Sequence, residues 1–133
     1  MNTVPALANI AEAAERIRSA IHRTPVMTCA SLDDETGTQT YFKCENFQRT
    51  GSFKFRGATN AVINLSAADA TKGVATHSSG NHGAALAAAA KAEGVAAKIV
   101  VPENASTIKQ ENILIHGAEL IHCEPNLQAR ETK

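Results

Sequence analysis

Hydrophobic residues recur along this chain with two different spacings. From Leu7 onward they fall every three or four positions with charged residues between them, which predicts a helix with one apolar face. This helix should end before Thr24-Pro25, because the residue preceding a proline is pushed out of helical geometry. Over residues 40–45 apolar and polar side chains alternate, which predicts a half-buried strand. The predicted apolar face of the helix consists of Leu7, Ile10, Ala14, Ile17 and Ile21.

The second half of the chain alternates predicted strands with predicted helices. The strands are residues 73–77, 97–101 and 119–123, and the helices between them are residues 84–94 and 107–116. Because parallel strands need crossover connections, this order predicts an α/β fold in which helices cover a parallel sheet.

The first half contains two more predicted helices. Residues 53–65 carry apolar side chains at helical spacing, and Ser52 or Thr50 could cap that helix. The sequence predicts a short polar helix over residues 28–38 that ends near Gly37. Residues 66–72 are polar and are predicted to form a loop.

The composition narrows the class of protein. The 133 residues carry 13 basic and 13 acidic side chains, so the chain has no overall field to attract nucleic acid or an anionic membrane. No run approaches the ~18 apolar residues of a membrane-spanning helix, and the charged N-terminal helix does not fit a signal peptide. We therefore expect a cytoplasmic protein that binds neither nucleic acid nor membranes. Much of its 44% hydrophobic content is alanine, so we expect a thin core.

The cysteines and histidines predict neither disulfides nor a metal site. Cys29, Cys44 and Cys123 are far apart and odd in number, with no Cys-x-x-Cys pair and no Cys–His pair at the spacing of metal ligands. Reduced thiols are what a cytosolic compartment favours. The five histidines are scattered, although His77 and His82 share a short segment.

Lys54 occupies a position that can carry chemistry. It follows a glycine-containing loop and is predicted to lie in the first turn of a helix, where the helix dipole opposes a positive charge. This placement favours the neutral amine that a Schiff-base lysine needs as a nucleophile. The alternative is an ordinary solvated lysine, like most of the seven in this chain.

Residues 78–83, Ser-Ser-Gly-Asn-His-Gly, form the second segment of interest. They join the end of a predicted strand to the start of a predicted helix, where open parallel sheets bind ligands. Free backbone N–H groups and the positive end of the helix dipole favour a carboxylate or phosphate there. The alternative is ordinary turn and capping chemistry, which Ser, Gly and Asn also supply.

Taken together, these segments resemble a known enzyme family. The sequences Phe-Lys-Cys-Glu-Asn-Phe-Gln (42–48), Gly-Ser-Phe-Lys (51–54) and Ser-Ser-Gly-Asn-His-Gly (78–83) resemble fold-type II pyridoxal-phosphate enzymes, in the serine/threonine dehydratase and serine racemase branch. The resemblance extends from Ile17 to Pro125 and implies a tryptophan synthase β-like α/β fold. It implies α,β-elimination of L-serine or L-threonine to a 2-oxo acid and ammonia, with racemisation of serine as a second outcome.

The resemblance also implies roles for individual residues. Lys54 matches the lysine that forms a Schiff base with pyridoxal 5′-phosphate and exchanges a proton with the substrate's α-carbon. Phe53 matches the aromatic residue beside the cofactor ring, and Asn81 the asparagine that hydrogen-bonds the cofactor's phenolic oxygen. Ser79 matches the serine that serves as acid and base on the opposite face in racemases. The residues implied to bind the substrate carboxylate are Ser78, Ser79, Asn81, His82 and Arg130.

The length departs from the family pattern. Family members are two to three times longer, so residues 1–72 would be the N-terminal part of the large domain and residues 73–133 an incomplete small domain. The glycine-rich phosphate loop and the carboxylates that hold a divalent cation in the racemase branch have no counterpart here. We therefore expect a fragment with little activity of its own, from a family of homodimers or larger assemblies. Two alternatives stay open, a non-catalytic anion-binding module and a remnant that only pairs with another chain.

Overall fold

A computed structural model describes residues 4–132 of the chain, and the side chains of Leu127, Arg130 and Glu131 lie outside that description. None of the helices in this part is long and apolar enough to cross a membrane. The helices are α1 (Leu7–Ile17), α2 (Ala30–Thr36), α3 (Lys54–Ile63), α4 (Ala67–Ala70), α5 (Asn81–Ala92), α6 (Thr107–Leu114) and α7 (Leu127–Thr132). The strands are β1 (Val26–Met27), β2 (Phe42–Lys43), β3 (Val74–His77), β4 (Ala97–Pro102) and β5 (Glu119–Cys123).

The predicted parallel sheet is confirmed. Its three strands lie in the order β3-β4-β5, with Val74 opposite Ala97 and Lys98 opposite Glu119 at the starts of the two ladders. All three strands are parallel, so their carboxyl ends share one edge of the sheet, and residues 78–83 leave β3 at that edge. A second, antiparallel sheet contains only β1 and β2.

The core lies where α5 packs between the parallel sheet and α3. Five alanines of α5 are buried, and their small side chains allow close approach of the neighbouring elements. The α3 helix contributes Phe55, Ala58 and Val62 to the same cluster. Ile99, Ile113 and Val101 are the largest fully buried side chains. The core is therefore built mainly from alanine and aliphatic residues, as the composition predicts.

The first helix differs from its prediction in length and in burial. It ends at Ile17, because the N–H groups of Arg18 and Ala20 each donate to the carbonyl three positions earlier and form 3-10-type turns. Only Ile17 of its apolar face is buried, whereas Leu7 is 80% exposed. The helix meets α3 near its C-terminal end, where Arg16 Nη1 donates to Asn60 Oδ1 at 2.7 Å.

Three other boundaries also differ from the predictions. The strand predicted over residues 40–45 is only β2, because the chain turns into a 3-10 helix at Glu45–Phe47. The predicted loop 66–72 contains α4, whose first turn is capped by Ser66 Oγ accepting from Asp69 N–H at 3.1 Å. Neither Thr50 nor Ser52 caps α3, which begins directly after Phe53 without a side-chain cap. The polar helix ending at Gly37 is confirmed as α2, with Gly37 in the left-handed region.

Candidate active site

Lys54 is the first residue of α3, as the sequence predicts. The chain reaches it through a lysine loop (residues 49–53), in which Gly51 has a φ of +70° that suits glycine. The Lys54 side chain is exposed, its Nζ lies 5.2 Å from the centre of the Phe53 ring, and it takes part in none of the ion pairs within residues 4–132. Its amine is therefore accessible for reaction.

The lysine loop also holds buried hydroxyl groups. Thr50 Oγ1 and Ser52 Oγ are buried and have no hydrogen-bond partner in the described part of the chain. Unpaired buried hydroxyl groups are costly and uncommon, and two of the three found among the described residues lie in this loop, the third being Thr59 of α3.

The residues that follow Lys54 attach α3 to the rest of the molecule. Phe55 is buried in the core against α5. Arg56 donates from Nε and Nη2 to the two carboxylate oxygens of Glu45, at 2.8 and 2.7 Å. This pairing, with a hydrogen bond of 2.6 Å from Thr24 Oγ1, lowers the pKa of Glu45 to about 2 despite the opposing effect of burial.

The segment 78–83 is placed at the start of a helix, with one correction to the prediction. Helix α5 begins at Asn81 and not at residue 84, so Asn81, His82 and Gly83 form its first turn. Gly80 is the N-cap residue, and its N–H donates to Ser78 Oγ at 3.3 Å. The first N–H groups of a helix have no partner within the helix, so this turn retains donors for an anion.

The two segments meet across α3 and α5. The pKa of His82 is lowered chiefly by burial, and further by the positive charges of Lys54 and His77. Helices α3 and α5 pack against each other, and Phe55 and Ala58 of α3 belong to the same core cluster as the buried alanines of α5. This packing brings the helix that begins with Lys54 against the helix that begins at Asn81, although these two residues are more than twenty positions apart in the sequence.

The other predicted site residues fall in different environments. Ser78 and Ser79 are half-buried, Asn81 is exposed, and the Phe53 ring is 61% exposed. The backbone of Arg130 belongs to α7, but its side chain lies outside the described residues. The predicted role of Arg130 therefore lies outside the described side chains.

A cavity of about 280 Å³ borders the same turn on another side. Ser79, Gly80 and Asn81 line it together with Arg49 and Lys109, whereas Lys54 does not. Sequence reasoning missed the two cationic residues, because neither lies within a recognisable motif and only folding places them beside Ser79. Among the described residues no group of three His, Cys, Asp or Glu side chains could hold a metal ion, and the three cysteines are free thiols.

Comparisons with known proteins identify the family of this chain. Residues 17–133 match the family described as "Pyridoxal-phosphate dependent enzyme". The serine racemase of Arabidopsis thaliana is 51% identical over 123 residues, which are 92% of this chain and 37% of that protein.

Two solved structures share the fold. Maize serine racemase superposes with a TM-score of 0.94 at 45% identity, over 98% of this chain and 40% of the other. A threonine deaminase from T.th. superposes with a TM-score of 0.85 at 37% identity, over 96% of this chain and 40% of the other. The chain spans about 40% of the length of these relatives, and its α/β fold is that of fold-type II enzymes. By its sequence match and its fold, the chain belongs to the family of pyridoxal-phosphate-dependent enzymes.

Proposed function

We propose that this chain carries part of an active site for pyridoxal-phosphate-dependent α,β-elimination of L-serine or L-threonine, which yields a 2-oxo acid and ammonia. Racemisation of serine is a second outcome of the same site. The observation that carries the proposal is the exposed Lys54 amine at the start of α3, a helix that packs against α5. The similarity of the chain to serine racemases and to a threonine deaminase supports this substrate class.

The residues present suit this cofactor. The Lys54 amine is free for a Schiff base, the exposed Phe53 ring lies beside it, and Asn81 offers an amide to the cofactor's phenolic oxygen. The unpaired buried hydroxyl groups of the lysine loop agree with a site that binds a polar group. When bound, pyridoxal phosphate supplies the electron sink that stabilises negative charge at the substrate's α-carbon.

The chain's own groups would bind the substrate and move its proton. The Ser78 and Ser79 hydroxyls, the Asn81 amide and the free N–H groups of the α5 turn are suited to the substrate carboxylate. Lys54 Nζ would take the α-proton on one face. Ser79 Oγ is proposed to serve the opposite face, where return of the proton would invert the α-carbon. His82 and Arg130 complete the proposed carboxylate site.

We assign residues 1–72 to the N-terminal part of a large cofactor domain and residues 73–133 to most of a small α/β domain. No segment of this sequence resembles the glycine-rich loop that holds the cofactor phosphate in the family. A main contact of the cofactor is then missing from these residues, so we expect weak binding and little turnover by the 133-residue chain alone.

The test is site-selective trapping of the cofactor. The purified chain is incubated with pyridoxal phosphate, reduced with borohydride and mapped by mass spectrometry across its seven lysines. We expect preferential labelling of Lys54, loss of the visible Schiff-base absorbance in Lys54→Ala, and its retention in the control Lys72→Ala. Labelling spread evenly over the lysines would contradict the proposed role of Lys54. Ammonia release from L-serine that depends on Lys54 would contradict the expected low activity.

A non-catalytic anion-binding module is the second candidate, and the cavity beside Ser79 favours it. Arg49 and Lys109 place two positive charges on a cavity that also contains the start of α5. Calorimetric titration with inorganic phosphate separates the two functions. Binding that survives Lys54→Ala and disappears in Lys109→Ala supports the module, and absence of phosphate binding to the wild-type chain rejects it.

A further inference from the structure

Arg56 lies two positions after Lys54 in α3, and its side chain forms hydrogen bonds to residues outside this helix. Its Nε and Nη2 atoms donate to the Glu45 carboxylate at 2.8 and 2.7 Å, and Nη2 also reaches Thr24 Oγ1 and the His22 carbonyl at 3.3 Å. Two parallel hydrogen bonds between a guanidinium and a carboxylate fix orientation as well as distance. The side chains of Arg56 and Glu45 are 29% and 16% exposed, so water competes only in part for their hydrogen bonds.

The partner carboxylate is itself fixed in place. Thr24 Oγ1 donates to Glu45 Oε1 at 2.6 Å, and Lys43 Nζ donates to the Thr24 carbonyl at 2.6 Å. Thr24 is buried, and the backbone N–H of Cys44 donates to the carbonyl of Pro25 at 3.0 Å. Arg56 is therefore attached to a network that joins three separate segments of the chain.

This contact closes the loop that leads to Lys54. Glu45 and Arg56 are eleven positions apart, and the lysine loop lies between them. The buried residue Gln48 lies between Glu45 and the lysine loop and is also held in place. Its Oε1 accepts a hydrogen bond from His22 N–H at 2.9 Å. Closing a loop at both ends removes conformations that would displace the residues inside it.

Helix geometry explains why the contact matters for Lys54 in particular. Successive residues of an α-helix point about 100° apart around its axis. Phe55 enters the core and Arg56 meets Glu45, so these two directions set the rotation of α3 and leave Lys54 pointing in the third. Helix α3 has no side-chain cap, and among the described residues Arg56 makes the only side-chain hydrogen bonds of this first turn.

We propose that Arg56, through its paired hydrogen bonds to Glu45, is a positioning residue for Lys54. It sets the rotation of the first turn of α3 and so the direction of the Lys54 amine, an inference that rests on the proposed function of that amine. Arg56→Lys would keep the positive charge but lose the two parallel donors of the guanidinium, so it should retain the positioning of Lys54 only in part.

The experiment compares Arg56→Gln, Arg56→Lys and Glu45→Gln with the control Arg18→Gln, which breaks the exposed ion pair between Arg18 and Glu15. Each chain is labelled with pyridoxal phosphate and borohydride at a temperature where it is folded. The measured quantity is the labelling of Lys54 relative to Lys72. We expect this ratio to fall about tenfold in Arg56→Gln and Glu45→Gln, to fall less in Arg56→Lys, and to remain unchanged in Arg18→Gln.

Hydrogen exchange at the amides of residues 55–57 supplies a second readout that does not depend on the cofactor. We expect about tenfold faster exchange there in Arg56→Gln and Glu45→Gln, without change in β4. If Arg56→Gln does not fold, Glu45→Gln and Arg56→Lys decide the outcome. A labelling ratio within twofold of wild type in folded Arg56→Gln or Glu45→Gln, or unchanged exchange in these variants, overturns the proposal. Wild-type chain without selective labelling of Lys54 would instead reject the proposed function, and exchange alone would then decide the role of Arg56.

Discussion

Gly83, in the first turn of α5, lies directly against the carbonyl oxygen of Ser78. A Cβ at this position would overlap that oxygen and would lie 3.1 Å from Ile99 Cγ2 and 3.2 Å from Ile113 Cδ1. The absence of a side chain thus lets the chain turn sharply from β3 into α5 while the helix stays close to the sheet. This close approach places Ser78, Ser79 and Asn81 at the carboxyl edge of the sheet.

The first prediction concerns this turn. Gly83→Ala should lower the free energy of unfolding by about 1–3 kcal/mol, because the backbone carbonyl of Ser78 cannot move away without displacing α5. Gly57→Ala is the matched control in α3, where a Cβ meets nothing within 4 Å, and it should stabilise by about 0.5–1 kcal/mol. Urea unfolding followed by circular dichroism measures both. Equal stability of Gly83→Ala and wild type would disprove the steric explanation.

The second prediction concerns stability in acid. The pKa of Glu45 is lowered to about 2 by its bonds to Arg56, so its charged form is favoured by folding. This stabilisation is complete above pH 4.5, the ordinary pKa of the group, and is lost as the pH falls towards 2. We expect the unfolding free energy of wild type to drop by about 2 kcal/mol more than that of Glu45→Gln between these limits.

Glu15→Gln serves as the control for this measurement, because Glu15 belongs to an exposed ion pair. Denaturant titrations at a series of pH values supply the data. Parallel pH profiles for wild type and Glu45→Gln would show that the Glu45–Arg56 pairing does not contribute as described.

The third prediction uses two histidines whose pKa values are lowered by different lysines. Burial is the main cause for both, with Lys54 and His77 adding to it at His82, and Lys91 adding to it at His116. Lys54→Met should therefore raise the pKa of His82 and leave His116 unchanged. Lys91→Met should do the reverse.

NMR titration of the imidazole C–H resonances measures these values, and each variant is the control for the other. A shift of both histidines in both variants would point to a general change in structure. No shift at His82 in Lys54→Met would place Lys54 away from the α5 turn and would remove the main support for a shared site.

The fourth prediction concerns the core contact of α6. Ile113 is completely buried, so Ile113→Ala should destabilise by about 2–5 kcal/mol through lost burial and the cavity it leaves. Ile108→Ala on the same helix is the control, because Ile108 is 70% exposed and its replacement should change stability by less than about 0.5 kcal/mol. Thermal unfolding distinguishes the two, and a similar cost for both would contradict the assigned burial.

Local sequence patterns were sufficient for the type and order of most elements. The alternation of strands and helices after residue 73 predicts the parallel sheet, and the glycines that follow α2 and α6 mark where those helices end. Element boundaries were less predictable. Helix α5 begins at Asn81, three residues before the alanine run, and this polar first turn has no periodic signal.

The local sequence establishes the helix whose first turn holds Lys54 and the strand that precedes residues 78–83, and it identifies the enzyme family that these segments resemble. It does so because strand and helix periods, proline and glycine act over a few neighbouring residues. The tertiary structure adds that α3 packs against α5, that Arg56 pairs with Glu45, and that Arg49 and Lys109 share a cavity with Ser79. These contacts join residues far apart in the chain, so they arise from the packing of α3 against α5 and the sheet, and local preferences do not encode them.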